Sequence, residues 1–275
     1  MTVAVVTDSV SGVPSDIADE LGITAVPFHV QMGKESYLDN AGLDMGEFYR
    51  RMDDADYPKT SMPNLGEFIT VYSELAQKTN EILSIHISSR IDSTCDVARA
   101  AVREIKDCHI EVVDSQSTLL ATGLLAIEAA KAARKGTSLS QLADMSRELI
   151  SKAHVLLTCD TIKYLVRGGH ASKTQALLVS VLRIKPLIEI KGEILPFGKA
   201  IGRARAIDAL CKYAGNFPHP RSLGVDYATD AEEAESLKRR LEQTFPEVPI
   251  YISSFSPVVG AHLGPGGLGV AILEG

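Results

Sequence analysis

Val3-Ala4-Val5-Val6-Thr7-Asp8-Ser9, with Pro14 and then Leu21-Gly22 behind it, is the stretch that decides the fold. A short unbroken apolar run of this kind belongs to a strand covered on both faces, as in a parallel sheet. Pro14 stands where the first turn of a helix accepts it, and Leu21-Gly22 closes that helix. Further strand signals recur at Ile23 to Val30, Glu81 to Ile87 and Ile110 to Val113. Helix signals lie between them. Asn64 and Glu67 have capping-box spacing before a helix through Lys78, and Ser93 with Asp96 repeats the spacing before one ending near Ile105. Ala/Leu-rich helices are expected over 118–135 and 138–151, with Gly136 as the glycine between them. This alternation predicts a mostly parallel sheet with helices on both faces.

The second half has another texture. His154 to Cys159 and Leu187 to Ile190 read as strands, and Lys191-Gly192 as a hairpin turn into Ile194 to Phe197. A helix over 204–215, a strand near Leu223 to Asp226, a charged helix over 230–244 and strands at 249–254 and 268–273 follow. Hairpins mixed with crossovers predict a mixed sheet. The expected fold is therefore α/β in two lobes, residues 1–152 and 153–275, with a ligand cleft between them.

The chain has 275 residues, of which 45% are hydrophobic and 23% charged, enough for a sizeable core. Its formal charge of −7 argues against binding nucleic acid by phosphate neutralisation. No apolar run approaches the roughly 18–20 residues of a bilayer span, so stable membrane insertion is not expected. The start lacks a basic segment and meets Asp8 early, unlike a signal peptide, and a cytoplasmic protein is expected. Cys95, Cys108, Cys159 and Cys211 are scattered, with no disulfide or zinc spacing. Gly264-Pro265-Gly266-Gly267-Leu268-Gly269 matches a dinucleotide fingerprint on paper, but too few residues follow it for the helix such a site needs. No cofactor or metal is expected.

Chemistry concentrates where short hydroxyl and acid residues follow strands. Thr7-Asp8-Ser9, Ser88-Ser89 and Asp114-Ser115 share the carboxyl edge of the sheet, and the loop Lys59-Thr60-Ser61 is placed to fold over it. Each cluster alone reads as helix caps; together they suit a carboxylate or phosphate. His262, before the glycine run, is the most suggestive histidine. The stretches 163–173 and 183–205 are locally basic within an acidic chain.

In chain order, Thr7-Asp8-Ser9, Pro58-Lys59-Thr60-Ser61-Met62-Pro63, Ile87-Ser88-Ser89, Val113-Asp114-Ser115, Tyr164-Leu165-Val166-Arg167-Gly168-Gly169, Lys185-Pro186-Leu187 with Gly192-Glu193, and His262-Leu263-Gly264-Pro265-Gly266 form a set that resembles the DegV family of fatty-acid-binding proteins. The resemblance implies a bacterial lipid carrier that is not itself an enzyme. It implies one long-chain fatty acid, such as palmitate, held between the lobes and presented to a fatty acid kinase, whose acyl phosphate serves phospholipid synthesis. Carried over by motif, Thr60 and Ser61 hold the carboxylate from one side, the loop after Ser89 holds it from the other, and His262 lies close. Lys199, Arg203 and Arg205, in the family's basic run, are candidates for docking the kinase.

Two positions depart from the family pattern. Where the family loop continues Leu-Ser-Gly-Thr, this chain has Ile91-Asp92-Ser93-Thr94. Ser93 takes over the contact, or Asp92 turns away as a cap, or the ligand head is not anionic. Where the family has arginine after the double glycine, this chain has His170, whose charge titrates near neutrality. Two other classes of function stay open. One is a hydrolase or transferase acting on an acyl or phosphate ester, with Asp8, Asp92 or Asp114 paired to His262. The other is a module that binds a different small anion.

Overall fold

The computed structural model describes residues 3–39, 43–53, 57–170 and 183–275. The opening apolar run is strand β1 (Ala4–Asp8), flanked in parallel by β2 (Ile23–Val26) and β6 (Glu81–His86), and β6 pairs in parallel with β7 (His109–Asp114). Val5, Val6, Leu83 and Ile85 are all buried, so both faces of the sheet are covered, as the unbroken run requires. Parallel neighbours need crossovers. Helix α1 (Ser15–Leu21) supplies the first and α4 (Thr94–Val102) the last.

Helix α3 (Leu65–Ala76) begins with the full capping box: the Glu67 amide donates to the Asn64 side chain, and the Asn64 amide donates to the Glu67 carboxylate. Asn64→Ala is expected to lower stability by about 1 kcal/mol, read as a shifted urea midpoint with unchanged slope. At the start of α4 the expected cap is displaced. Ser93 makes no capping bond; Asp92 Oδ1 instead accepts from the Thr94 amide at 2.7 Å and from the Thr94 hydroxyl.

The stretch Ile23 to Val30 is not one strand. It breaks at Pro27, which has no amide to donate to a ladder. β2 ends before the proline, and β3 (His29–Met32) starts a separate antiparallel sheet with β4 (Glu35–Leu38) and β5 (Lys59–Ser61) on either side. Helix α2 (Met45–Asp53) lies between β4 and β5. Thr60 and Ser61 therefore stand on a strand rather than on a loop.

Beyond β7, helices α5 (Leu119–Arg134) and α6 (Leu139–Ile150) lead into a six-stranded mixed sheet. Its strands are β8 (Ala153–Thr158), β9 (Ile184–Lys191), β10 (Glu193–Ile201), β11 (Pro220–Tyr227), β12 (Ile250–Ser254) and β13 (Leu268–Glu274), in the order 10-9-8-13-11-12. Only β11 and β12 run parallel, joined by helix α9 (Ala231–Thr244); α8 (Arg203–Gly215) follows the β9–β10 hairpin. Helix α5 is apolar on nearly every side because it is buried between the two large sheets. Leu120 and Leu124 of α5 share one core with Val5 and Leu83 of the first sheet and with Val155, Leu157 and Leu273 of the second.

Candidate functional site

The carboxyl edge of the parallel sheet faces β8 to β10, and most of its polar residues are spent on holding that arrangement together. The Ser9 hydroxyl donates to Asp39 at 2.6 Å and accepts from the Phe28 amide; Asp39 also accepts from the Val258 amide. This joins the end of β1, the Pro27 crossover and helix α10 (Pro257–Leu263). Burial pushes the Asp39 carboxyl above its ordinary range, opposed by its hydrogen bonds to Ser9, Val258 and Ser256. The Ser88 hydroxyl donates to the Gly192 carbonyl and ties its loop to the β9–β10 hairpin. Asp114 accepts from the amides of Ser89 and Gln116 and from the Ser89 hydroxyl.

Deeper in the sheet, the Tyr72 hydroxyl donates to Ser84 Oγ at 2.8 Å. Ser84 Oγ lies 2.7 Å from His86 Nε2, and His86 Nδ1 lies 3.1 Å from Asp8 Oδ2. The proton order follows from the tyrosine: Ser84 gives its one proton to Nε2, so Nδ1 keeps its hydrogen for Asp8. Asp, His and Ser stand in the order of a hydrolytic triad, but Ser84 and His86 have no exposed surface and no substrate reaches them. The chain is a polar core.

A cavity of about 240 Å³ opens between the sheets. Phe28, Ile87 and Ile91 line it from one side, Leu157, Ile188 and Ile190 from the other, with Val258 and Leu263 of α10. Five polar side chains reach it: Thr60, Ser61, Asp92, Thr118 and His262. Thr60 Oγ1 is 3.0 Å from His262 Nε2, a contact between residues 202 positions apart. His262 sits in the last turn of α10, whose start is fixed by Pro257 and by Ser256 accepting from the Val259 amide. The Tyr57 hydroxyl, within reach of the Tyr164 and Ala261 carbonyls, clamps α10 to the short helix α7 (Lys163–Leu165). Burial pushes the Tyr57 hydroxyl up to about 12. Gly168 is flush with the imidazole: a Cβ there would lie 2.1 Å from His262 Nδ1. Gly264 is similarly tight, because its φ of 76° favours glycine and a Cβ would meet the Tyr164 ring at 2.2 Å. The glycine run thus serves close packing, and no helix follows it.

Among the residues singled out from sequence, Thr60, Ser61, Asp92 and His262 meet around this one cavity. Ser89 and Ser93 are exposed and are not among its lining residues. The side chain of His170 lies outside the described residues. Lys199 and Arg205 are exposed on β10 and α8, whereas Arg203 is half-buried, paired with Glu233 and donating to the Gly266 carbonyl at 2.7 Å. Of the acids paired with His262 in the enzymatic reading, Asp8 faces His86 and Asp114 holds its own loop, so only Asp92 shares a cavity with His262. Thr118 and Tyr57 were missed. Thr118 precedes a Leu-rich helix, a visible cap signal, yet its hydroxyl makes no capping bond. Among the described residues no group of three His, Cys, Asp or Glu side chains stands close enough to hold a metal ion, and no helix is long and apolar enough to cross a membrane.

The comparisons with known proteins agree over the full chain. The family model described as "Uncharacterised protein, DegV family" matches residues 2–275. Protein DegV of Bacillus subtilis is 31% identical over 280 residues, covering 98% of each chain. The crystal structure of DegV from Bacillus subtilis, described as a fatty acid binding protein, superposes with a TM-score of 0.88 at 31% identity over 100% of both chains. A DegV family protein from Thermus thermophilus, whose structure is described by its fatty acid binding, gives 0.89 at 26% identity, again over 100% of both. With a family model spanning nearly every residue and relatives matched end to end, the chain belongs to the DegV family.

Proposed function

We propose that this protein is a carrier that holds one long-chain fatty acid, such as palmitate, in the cavity between lobes 1–152 and 153–275. The observation that carries this reading is an apolar cavity with a hydroxyl–imidazole pair, Thr60 and His262, at its wall. An acyl chain gains from the apolar lining at roughly 25 cal/mol per Å² buried. Its carboxylate needs donors, which Thr60, Ser61 and His262 offer. The fatty acid binding described for the proteins from Bacillus subtilis and Thermus thermophilus supports the same class of ligand.

The carrier presents that carboxylate to a fatty acid kinase, and the acyl phosphate enters bacterial phospholipid synthesis in the cytoplasm. Supporting this, Thr60, Ser61 and Met62 line the inner cavity and also an outer polar groove with His29, Gln31 and Lys59. A head group held by Ser61 is thereby one strand away from the surface. Lys199 and Arg205 are exposed and, among the described residues, form no ion pair, so they can steer an acidic partner, while Arg203 serves mainly to hold the glycine loop.

Denaturing extraction of the purified protein, followed by mass spectrometry, is expected to release a long-chain fatty acid. Repeated extraction without lipid, together with no binding of a labelled fatty acid, would overturn the reading. Ser61→Ala removes one hydrogen bond to a charged acceptor, worth roughly 1.5–3 kcal/mol. Affinity for the labelled acid is expected to fall about tenfold or more with little change in stability, since Ser61 is exposed at the rim. Equal affinity would place the carboxylate elsewhere.

A further inference from the structure

We infer that the cavity takes up its fatty acid together with one proton, carried by Asp92 or shared between Asp92 and the ligand's head group, so that affinity falls as pH rises. This rests on the fatty-acid reading above and adds how the site is regulated.

Asp92 is half-buried and lines the cavity. Both of its hydrogen bonds, from the Thr94 amide and hydroxyl, go to Oδ1. Among the described residues Oδ2 has no donor and no cation pairs with Asp92. An ionised Oδ2 is therefore stabilised chiefly by water that enters the cavity, and a bound lipid displaces that water. If the ligand carboxylate lies beside Asp92, two like charges meet. If the acyl chain lies over it instead, the carboxylate loses its solvent. Either placement favours the protonated form, so the direction does not depend on which end of the ligand Asp92 faces.

The surroundings reinforce this. Burial already holds the Asp92 carboxyl above its ordinary value despite the two Thr94 bonds, and the charge of Asp8, at the end of β1, pushes the same way. On the other packed elements, Asp114 is engaged by Ser89 and Gln116, and Arg90 pairs with Glu193 on the exposed hairpin. Among the described residues His262 is the one other titratable side chain lining the cavity. The sign is fixed by linkage. A group that binds more protons in the complex than in the free protein gives the tightest binding below its free-state pKa. Above that value, affinity falls by up to about tenfold per pH unit.

The test is calorimetric titration with palmitate, below its aggregation limit, in two buffers of unlike ionisation enthalpy between pH 6 and 8.5. Net uptake approaching one proton per palmitate, lost in Asp92→Asn and in the independent variant Asp92→Ser, is the expected result, with affinity in both variants flattened against pH. His262→Gln is expected to bind more weakly yet still take up the proton. Binding without uptake, uptake that survives both Asp92 variants, or uptake lost in His262→Gln instead would overturn the inference while leaving the carrier reading intact. No heat from palmitate at any pH would overturn both.

Discussion

Asp8→Ala is expected to destabilise the fold by about 2–6 kcal/mol, because two buried donors lose their acceptor at about 1–3 kcal/mol each. Asp8 Oδ2 accepts from His86 Nδ1 at 3.1 Å and from the Ile87 amide at 2.9 Å, and neither Asp8 nor His86 has any exposed surface. Without the carboxylate, both donors are left in a site that water does not reach, and the Tyr72–Ser84–His86 order loses its terminal acceptor. Phe68 packs edge-on against His86, with ring centroids 5.1 Å apart, on a ring that is itself fully buried. Asp8→Asn keeps one acceptor but adds an amide hydrogen pair where Oδ1 has no partner among the described residues, so it should cost less, about 1–3 kcal/mol. Urea unfolding of the three proteins, compared at equal slope, reads both values. A loss under 1 kcal/mol in Asp8→Ala would mean that the polar chain does not support the sheet.

Gly168→Ala is expected to weaken fatty-acid binding by about tenfold to more than a hundredfold, the equivalent of losing a hydrogen bond to a charged group at roughly 1.5–3 kcal/mol. The added Cβ would lie 2.1 Å from His262 Nδ1 and 2.7 Å from its Cε1, so ring and methyl cannot both keep their places. The imidazole is the part that moves, because α10 is fixed by its Ser256 cap and by Tyr57. Moving it breaks the contact with Thr60 and misplaces the donor proposed for the head group. His262→Ala should show a similar loss, and the double variant should be no worse than His262→Ala alone, because both act through one ring. Binding of a labelled fatty acid to the four proteins tests this. Additive losses would give Gly168 a role of its own in the site.

Much of the fold was legible locally. The apolar run of β1, the capping box at Asn64 and the Lys191-Gly192 turn each report a property of a few adjacent residues, namely burial on both faces, amide satisfaction and a tight reversal. The mixed second sheet was legible for the same reason, since hairpins and crossovers differ in loop length. Pro27 was readable as a strand breaker, yet nothing local said that the chain beyond it would open a third sheet, whose strands β3 and β5 are brought together across the 26 positions between Met32 and Lys59.

The site divides in the same way. Hydroxyl and acid clusters after strand ends marked the edge where a ligand could bind, and the motif resemblance narrowed the candidates to Thr60, Ser61, Ser89, Asp92, Ser93, His170 and His262. Residue chemistry alone did not set these apart from Asp8, Ser9, Ser88 and Asp114, which carry the same kinds of group at strand ends. The tertiary structure showed what each does: Asp8, Ser9, Ser88 and Asp114 are spent on hydrogen bonds to His86, Asp39, the Gly192 carbonyl and their own loop, while Thr60, Ser61, Asp92 and His262 line a cavity with apolar walls from β8 and β9. Hydrophobic periodicity and capping report how far a residue is buried and how its own backbone is satisfied. Which distant side chain it meets depends on how whole sheets pack, and that is how Thr60 comes to face His262.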